Sequence, residues 1–304
     1  MAETYHIPVM LHQSIDALDI NPEGIYVDVT FGGGGHSREI LNRLGDKGQL
    51  FSFDQDQDTR ANIIDDERFN YVESNFRFLR GALRLRGVES VDGILADLGV
   101  SSHHFDCSQR GFSFRFDGPL DMRMNQSGGF TAADVVNTYE QERLIKVLRE
   151  YGELDNAFKS ACSIINYRET KPLATINDLI EAVAPATPRA SESKYYAKLF
   201  QALRIEVNRE LEALKMMLEQ SLKVLKPGGV LSVITYHSLE DRLVKNFMRS
   251  GNFEGKIEKD FYGHVQTPFK LVFRKALPPT PEEIEINSRS RSAKLRAAIK
   301  IEQK

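Results

Sequence analysis

Apolar positions in the first hundred residues gather into short runs, and three of these runs close on an acid. Ile25-Tyr26-Val27 ends at Asp28, Leu50-Phe51-Ser52-Phe53 at Asp54, and the run from Val91 to Ala96 at Asp97. Phe69-Asn70-Tyr71-Val72-Glu73 forms a fourth, and the stretches opening at His36 and spanning Arg77 to Leu85 read as helices. Strands alternating with helices predict an α/β fold with a parallel, doubly wound sheet. Ligands of such sheets sit beyond the carboxyl ends of the strands, where Asp28, Asp54 and Asp97 all fall.

One more strand comes late. Leu225-Lys226-Pro227-Gly228-Gly229 stops a helix and leads into Val230-Leu231-Ser232-Val233-Ile234-Thr235. A simple strand-helix-strand crossover takes about thirty residues, and Leu98 to Lys226 is several times that length. A second domain is therefore expected inside the first. Helical periodicity covers Thr131–Tyr151, Leu173–Ala184 and Lys198–Val224, the last carrying the chain back to the sheet. The expected boundaries are 1–107 with 206–304 for a Rossmann-like domain, and 108–205 for an inserted helical domain that recognises substrate. Past Gly251, Phe269-Lys270-Leu271-Val272-Phe273 reads as a final strand, and Pro278-Pro279-Thr280-Pro281 starts an extended tail.

With 304 residues the chain can bury one large core or two modest ones, and its formal net charge of -3 carries no overall polycationic signature. Nucleic-acid affinity must come from local patches. No apolar stretch reaches the length of a membrane span, and the polar start Met1-Ala2-Glu3-Thr4-Tyr5-His6 is unlike a signal peptide. Cys107 and Cys162 form no C-x-x-C pair. Neither a disulfide framework nor a structural zinc site is expected, and a reducing cytoplasm is the default.

The most specific chemical signal is Gly32 to Gly35, four glycines between the Asp28 run and the helix at His36. Glycine lets backbone approach a ligand with no Cβ in the way, and a helix start offers free N–H groups. Ser37 occupies the position where the dinucleotide pattern G-x-G-x-x-G needs its last glycine. Asp28 at the mouth of the loop repels phosphate and suits a cationic amino or sulfonium group. Asp54, about twenty residues past the loop, suits ribose hydroxyls. The combination favours S-adenosylmethionine over NAD; a flexible loop between two ordinary strand-end acids is the alternative.

Asp97-Leu98-Gly99-Val100-Ser101-Ser102-His103-His104 follows the central strand, the usual place for groups facing a substrate. It has the acid of exocyclic-amine methyltransferases without their two prolines. Adjacent His103 and His104 diverge and lack a third spaced ligand, so no metal is expected. His103 reads as a solvated loop residue, and His104 as a contact to cofactor or base. Arg110-Gly111-Phe112-Ser113-Phe114-Arg115-Phe116 interleaves cations with rings, suiting either stacking on unpaired bases or a phenylalanine ladder at the domain junction. Arg77, Arg80, Arg84 and Arg86 make either a phosphate-contacting face or a solvated helix surface. After the late strand, His237 is a candidate catalytic residue in the active-site wall. Ser238 lacks the glycine elbow of a hydrolase, and Glu240-Asp241-Arg242 read as a helix start. The basic tail from Asn287 to Arg296 is either an RNA-contacting arm or a disordered terminus.

Six segments, taken in order, resemble the bacterial RsmH family, also called MraW. They are Thr30 to Ser37, Asp97 to Ser102, Arg110 to Phe114, Gly118 to Arg123, His237 to Arg242 and Arg291 to Arg296, within a match from about Tyr5 to Arg296. The resemblance implies a class I S-adenosylmethionine-dependent methyltransferase with a helical insertion. It implies transfer of methyl to N4 of a cytidine in the decoding region of small-subunit (16S) ribosomal RNA, presented as naked RNA or as a ribosomal particle. The family's cofactor contacts fall on Gly34, Gly35, His36, Asp54, Phe76, Asp97 and His104, with His104 standing where the family commonly has glutamine. A second departure lies at Lys194 to Phe200, where Lys198 replaces an arginine and loses its bidentate fork.

N4 of cytosine is a poor nucleophile, its lone pair being delocalised into the ring. The task is then to hold the amine in line with the S–CH3 bond and accept hydrogen bonds from its protons, with Asp97, or the backbone carbonyls after it, as candidate acceptor. No covalent cysteine step is needed. The rivals are a methyltransferase for protein or a small molecule, a non-enzymatic RNA-binding assembly factor, and an NAD oxidoreductase.

Overall fold

The computed structural model describes residues 8–259, 261–263 and 265–302, with the backbone alone at 102, 103 and 265. The polar start and the His103 side chain lie outside the described residues. The chain divides into two compact units, Met1–Gly99 with Leu211–Lys304, and Val100–Glu210. The first unit opens with α1 (Leu11–Asp16), β1 (Ile25–Asp28), α2 (Gly35–Arg43), β2 (Gln49–Asp54), β3 (Phe69–Glu73), α3 (Leu79–Arg84) and β4 (Val91–Asp97). The second contains α4 (Ser102–Asp106), α5 (Ala132–Thr138), α6 (Gln141–Glu150), α7 (Ala157–Arg168), α8 (Ile176–Val183) and α9 (Glu192–Asn208). The chain then returns through α10 (Glu210–Val224) to β5 (Leu225–Thr235) and α11 (Ser238–Ser250). It ends with β6 (Glu258–Lys259), β7 (Val265–Gln266), β8 (Phe269–Leu271), α12 (Pro281–Ile286) and β9 (Lys294–Lys300).

Successive strand residues point to opposite faces of a sheet, and here both faces are apolar. Val27, Phe51, Phe53, Ile94 and Ala96 pack with Leu79 and Leu83 of α3, Leu214 and Met217 of α10, and Val244 and Phe247 of α11. Tyr26, Leu50, Leu95 and Val230 pack with Ile15 of α1 and Ile40 and Leu41 of α2. Burial on both sides is why these strands read as nearly continuous apolar runs. The sheet order is β3-β2-β1-β4-β5-β9-β8. The first five strands are mutually parallel, and β9 runs antiparallel to β5 and β8. This is the class I methyltransferase fold. From β1 the chain winds outward to β2 and β3, then restarts at β4 on the other side of β1. The carboxyl ends of β1 and β4 therefore flank a crevice at the switch point.

Three segments depart from the periodicity. Thr131–Tyr151 is two helices, because Tyr139 is extended between α5 and α6. Lys198–Val224 is also two, since Arg209 takes a left-handed conformation (φ 49°) that ends α9. The largest departure is the tail. Lys294–Lys300 is neither a free arm nor a disordered terminus but the inner strand β9, with Leu295, Ala297 and Ala298 buried. Arg296 Nε donates to Asp241 Oδ1 at 2.7 Å, so this cation of the basic tail closes on a helix of its own unit. β8 is consequently not the last strand. Among the described residues, no helix is long and apolar enough to cross a membrane.

Candidate active site

The loop after β1 is built on a buried acid. Asp28 Oδ2 accepts the Ser37 hydroxyl at 2.7 Å, and its Oδ1 accepts the Thr30 amide at 3.0 Å. One carboxylate thereby ties the residue before the glycines to the residue after them. Asp28 is fully buried, which pushes its pKa up. It does not stand at the mouth of the loop facing a ligand, so its charge is not what selects a cofactor; Ser37, which breaks the dinucleotide pattern, is there to serve it. Gly34 caps α2 with a left-handed backbone (φ 76°). At Gly35 a Cβ would come within 2.1 Å of Pro8 Cγ, so only glycine fits. A Cβ at Gly33 would meet nothing within 4 Å, which leaves that side of the loop open.

Asp54, at the end of β2, fixes the same loop from below. Its Oδ2 accepts from the Gly32 amide and its Oδ1 from the Asp56 amide, both at 2.9 Å. Each oxygen keeps a second lone pair. Burial raises the Asp54 pKa to about 6 against the pull of those two amides. Next to it, Asn75 Nδ2 donates to Gln55 Oε1 at 2.7 Å, joining the ends of β2 and β3 and fixing the turn that begins at Phe76. The Phe76 ring is half-buried against the core.

At the end of β4, Asp97 is gripped from three elements. Its amide donates to Thr30 Oγ1 at 2.7 Å, and its Oδ1 accepts the Tyr236 hydroxyl at 2.7 Å. His36 Nδ1 lies 3.9 Å from its Oδ2. His36 Nε2 faces the Val9 carbonyl at 3.1 Å. A carbonyl only accepts, so Nε2 carries a proton; Nδ1 faces Asp97, and a second proton there gives the imidazolium whose positive charge draws the Asp97 pKa down. Burial raises the Asp97 pKa to about 6; His36 and the Tyr236 hydroxyl hold it back, while Asp28 and Glu240 push it further up. Burial and the Asp97 charge in turn drive the Tyr236 phenol well above its ordinary value.

A family model of MraW methylases matches residues 3–301. The chain belongs to the MraW methylase family. A protein named ribosomal RNA small subunit methyltransferase H from Phocaeicola vulgatus is 61% identical over 298 residues, 98% of each chain. Proteins of the same name from Bacteroides thetaiotaomicron and Flavobacterium johnsoniae are 60% and 56% identical over 297 residues, again 98% of each chain.

Six of the seven residues that the sequence resemblance singles out as expected cofactor contacts fall on the first unit: Gly34, Gly35, His36, Asp54, Phe76 and Asp97 lie at or just past the carboxyl ends of β1 to β4. His104 belongs to the second unit, where its ring is buried, its Nδ1 lies 3.0 Å from Ser101 Oγ, and Phe112 packs 4.8 Å away. Tyr236 was not singled out by the sequence, although β4 and β5 pair Asp97 with Ile234, two residues short of it. Its neighbour His237 has Nε2 3.0 Å from Glu240 Oε1, and neither ring nitrogen makes a hydrogen bond among the described residues. Base stacking is not what Arg110, Phe112 and Phe114 are built for. Arg110 is buried and donates to the carbonyls of Arg123 and Met124 at 3.1 and 3.0 Å. Phe112 is buried, and Phe114 meets Tyr196 and Phe200 at 5.7 and 5.6 Å inside the second unit. Arg115 and Phe116 alone in that segment's arginine–phenylalanine series stay exposed. Lys198 donates to the Glu153 carbonyl at 2.7 Å. Arg80, Arg84 and Arg86 are exposed, the last bonded back to the Ala82 carbonyl at 3.0 Å.

Proposed function

We propose that this chain transfers a methyl group from S-adenosylmethionine to N4 of a cytidine in the decoding region of 16S ribosomal RNA, in the cytoplasm. The observation that carries the reading is Asp97, gripped by Tyr236 and facing His36 at the end of β4, beside a glycine loop locked by Asp28 and Asp54.

The donor set suits this cofactor. Asp54 and Asp97 both have raised pKa values, and Asp54 has no cationic side-chain partner among the described residues. Such a site repels a pyrophosphate and welcomes ribose hydroxyls and a sulfonium. Asp54 would take the ribose with its remaining lone pairs, Phe76 would lie along the adenine, and the backbone of Gly34, Gly35 and His36 would meet the amino-acid end. The cofactor supplies a methyl group whose departure leaves a neutral thioether, so no acid is needed at the leaving group.

Asp97 Oδ2 accepts a hydrogen bond from the exocyclic amine, aiming the N4 lone pair and drawing it out of the ring. Tyr236 keeps its own proton and holds Oδ1, so Asp97 has one direction left to face. The nitrogen's surplus proton leaves to water once the N–CH3 bond has formed. His237, with Nε2 3.0 Å from Glu240 Oε1, would stand at the edge of the same site. A base inside a helix cannot reach a site at this depth, so the target is unpaired or extruded. Methyl-labelled cofactor incubated with unmethylated small-subunit particles, followed by nucleotide mapping, tests the reading. Label on N4 of a decoding-region cytidine is expected; label on protein, on another nucleotide, or nowhere overturns it.

A further inference from the structure

We propose that Glu283 of α12 is a positioning residue for the cofactor loop, acting on His36 through the peptide group between Val9 and Met10. The proposal deepens the methyltransferase reading above and rests on it for what the loop holds. The Met10 amide donates to Glu283 Oε1 at 2.6 Å, across 273 residues of chain. The carbonyl of the same peptide group, that of Val9, accepts from His36 Nε2 at 3.1 Å. A peptide group is planar and trans, with its N–H and C=O pointing opposite ways. Glu283 and His36 therefore hold the two ends of one rigid plate. Turning its N–H away from Glu283 turns its C=O away from His36.

The backbone at this point needs outside support. Met10 precedes α1 in a left-handed conformation (φ 51°) with no side-chain cap of its own. Such a conformation persists in a non-glycine residue only where its surroundings enforce it. Gln13 stands at the third position of α1, from which a capping box would reach the Met10 amide; the amide goes to Glu283 instead. Pro8 extends the contact, its Cγ filling the space where Gly35 would carry a Cβ. Consecutive residues thus meet separate parts of the site: Pro8 backs Gly35, Val9 holds His36, and Met10 is held by Glu283. Val9 and Met10 are buried among Ile234, Ala293 and Leu295, next to Tyr236. The far end of the tie is fixed as well. Thr280 caps α12 by accepting the Glu283 amide at 3.2 Å. Shortly before the helix, Leu277 exchanges two hydrogen bonds of 2.9 Å with Leu295 of β9. A position set by the sheet is thereby passed to His36, the ring that faces Asp97. Glu283 also reaches the site through its charge: burial, Asp97, Glu240 and Glu283 together hold the Tyr236 phenol well above its ordinary value.

The test compares Glu283→Ala, Glu283→Gln and Glu283→Asp in the full chain, by nitrogen NMR of the imidazole rings and by calorimetric titration with S-adenosylmethionine. The His36 resonance is assigned by its loss in His36→Gln. In the parent it is expected to show a protonated Nε2 held in a hydrogen bond. Glu283→Ala frees the peptide group, so the His36 signal should move toward that of an imidazole in water. Cofactor affinity should fall roughly tenfold, close to the least that a hydrogen bond to a charged group contributes. Glu283→Gln removes the charge felt by Tyr236 and keeps an oxygen in place, so it should keep the parental signal and affinity. Glu283→Asp keeps the charge one methylene short of the amide and should behave as the alanine variant. A parental His36 signal or a parental affinity in Glu283→Ala overturns the proposal, whatever the melting temperature, and leaves the bond as a structural tie. So does an equal loss in Glu283→Gln, which assigns the effect to charge. If the parent binds no S-adenosylmethionine, the methyltransferase reading falls, while the His36 signal still decides for or against Glu283.

Discussion

Tyr236→Phe removes one oxygen and leaves the ring that fills the space beside Gly99, where a Cβ would lie 3.5 Å from Tyr236 Cδ2. What disappears is the 2.7 Å hydrogen bond to Asp97 Oδ1. A hydrogen bond to a charged acceptor contributes roughly 1.5–3 kcal/mol, and one pKa unit corresponds to about 1.4 kcal/mol. The Asp97 side chain is 22% exposed, so water recovers part of the loss. A rise of about one unit, starting from about 6, is the expected result. If the charged carboxylate is the form that accepts from the amine, activity falls as pH drops through the Asp97 pKa, and the acid limb of the variant moves up by about one unit. The groups able to shift that limb are those facing Asp97: His36 from α2, Asp28 from β1, Glu240 from α11 and Tyr236 itself. The assay is single-turnover methyl transfer with labelled cofactor from about pH 5 to 9, at saturating RNA, with cofactor affinity measured at each pH. A variant whose rate is lower at every pH but whose acid limb has not moved would refute the argument, because a merely structural loss scales the curve without displacing it.

Other outcomes follow from the same geometry. Asp97→Asn should lower the rate of transfer by at least a hundredfold, as loss of a preorganised transition-state contact does. It should also raise thermal stability at pH 8. The native Asp97 pKa of about 6 lies above the ordinary carboxyl value, so native stability declines as pH rises toward 6 and stays reduced above it; a melting temperature unchanged or lower at pH 8 would remove that reasoning. Ser37→Ala leaves Asp28 Oδ2 without its donor in a fully buried place, with an expected destabilisation of about 1–3 kcal/mol. The loss should be larger at pH 8 than at pH 4, where the carboxyl can protonate; denaturant melts at the two values check this. Ending the chain before Lys294 removes an inner strand, and the expected product is unfolded or aggregated rather than a folded enzyme with weaker RNA affinity, as circular dichroism would show.

The parallel half of the sheet was readable because β1, β2, β4 and the second half of β5 are buried on both faces and write nearly continuous apolar runs ending at the same edge. Asp54 and Asp97 could be placed at that edge from sequence alone, since a strand end fixes where the next side chain emerges. Asp28 could not be assigned its work: the pattern gives its position along the strand, but not that Ser37, nine residues on, folds back to donate to it. The same limit hid Tyr236, whose partner Asp97 is 139 residues away. The tail failed for a different reason. In Arg291-Ser292-Ala293-Lys294-Leu295-Arg296 the local composition is basic and polar, and local composition is all that a disorder or arm reading uses. β9 is stabilised instead by pairing with β5 and β8 and by Asp241. Asp241 neutralises Arg296, and Lys294 reaches the same carboxylate at 3.4 Å. A strand whose cations are answered by an acid 53 to 55 residues earlier carries no local sign of being inside a sheet.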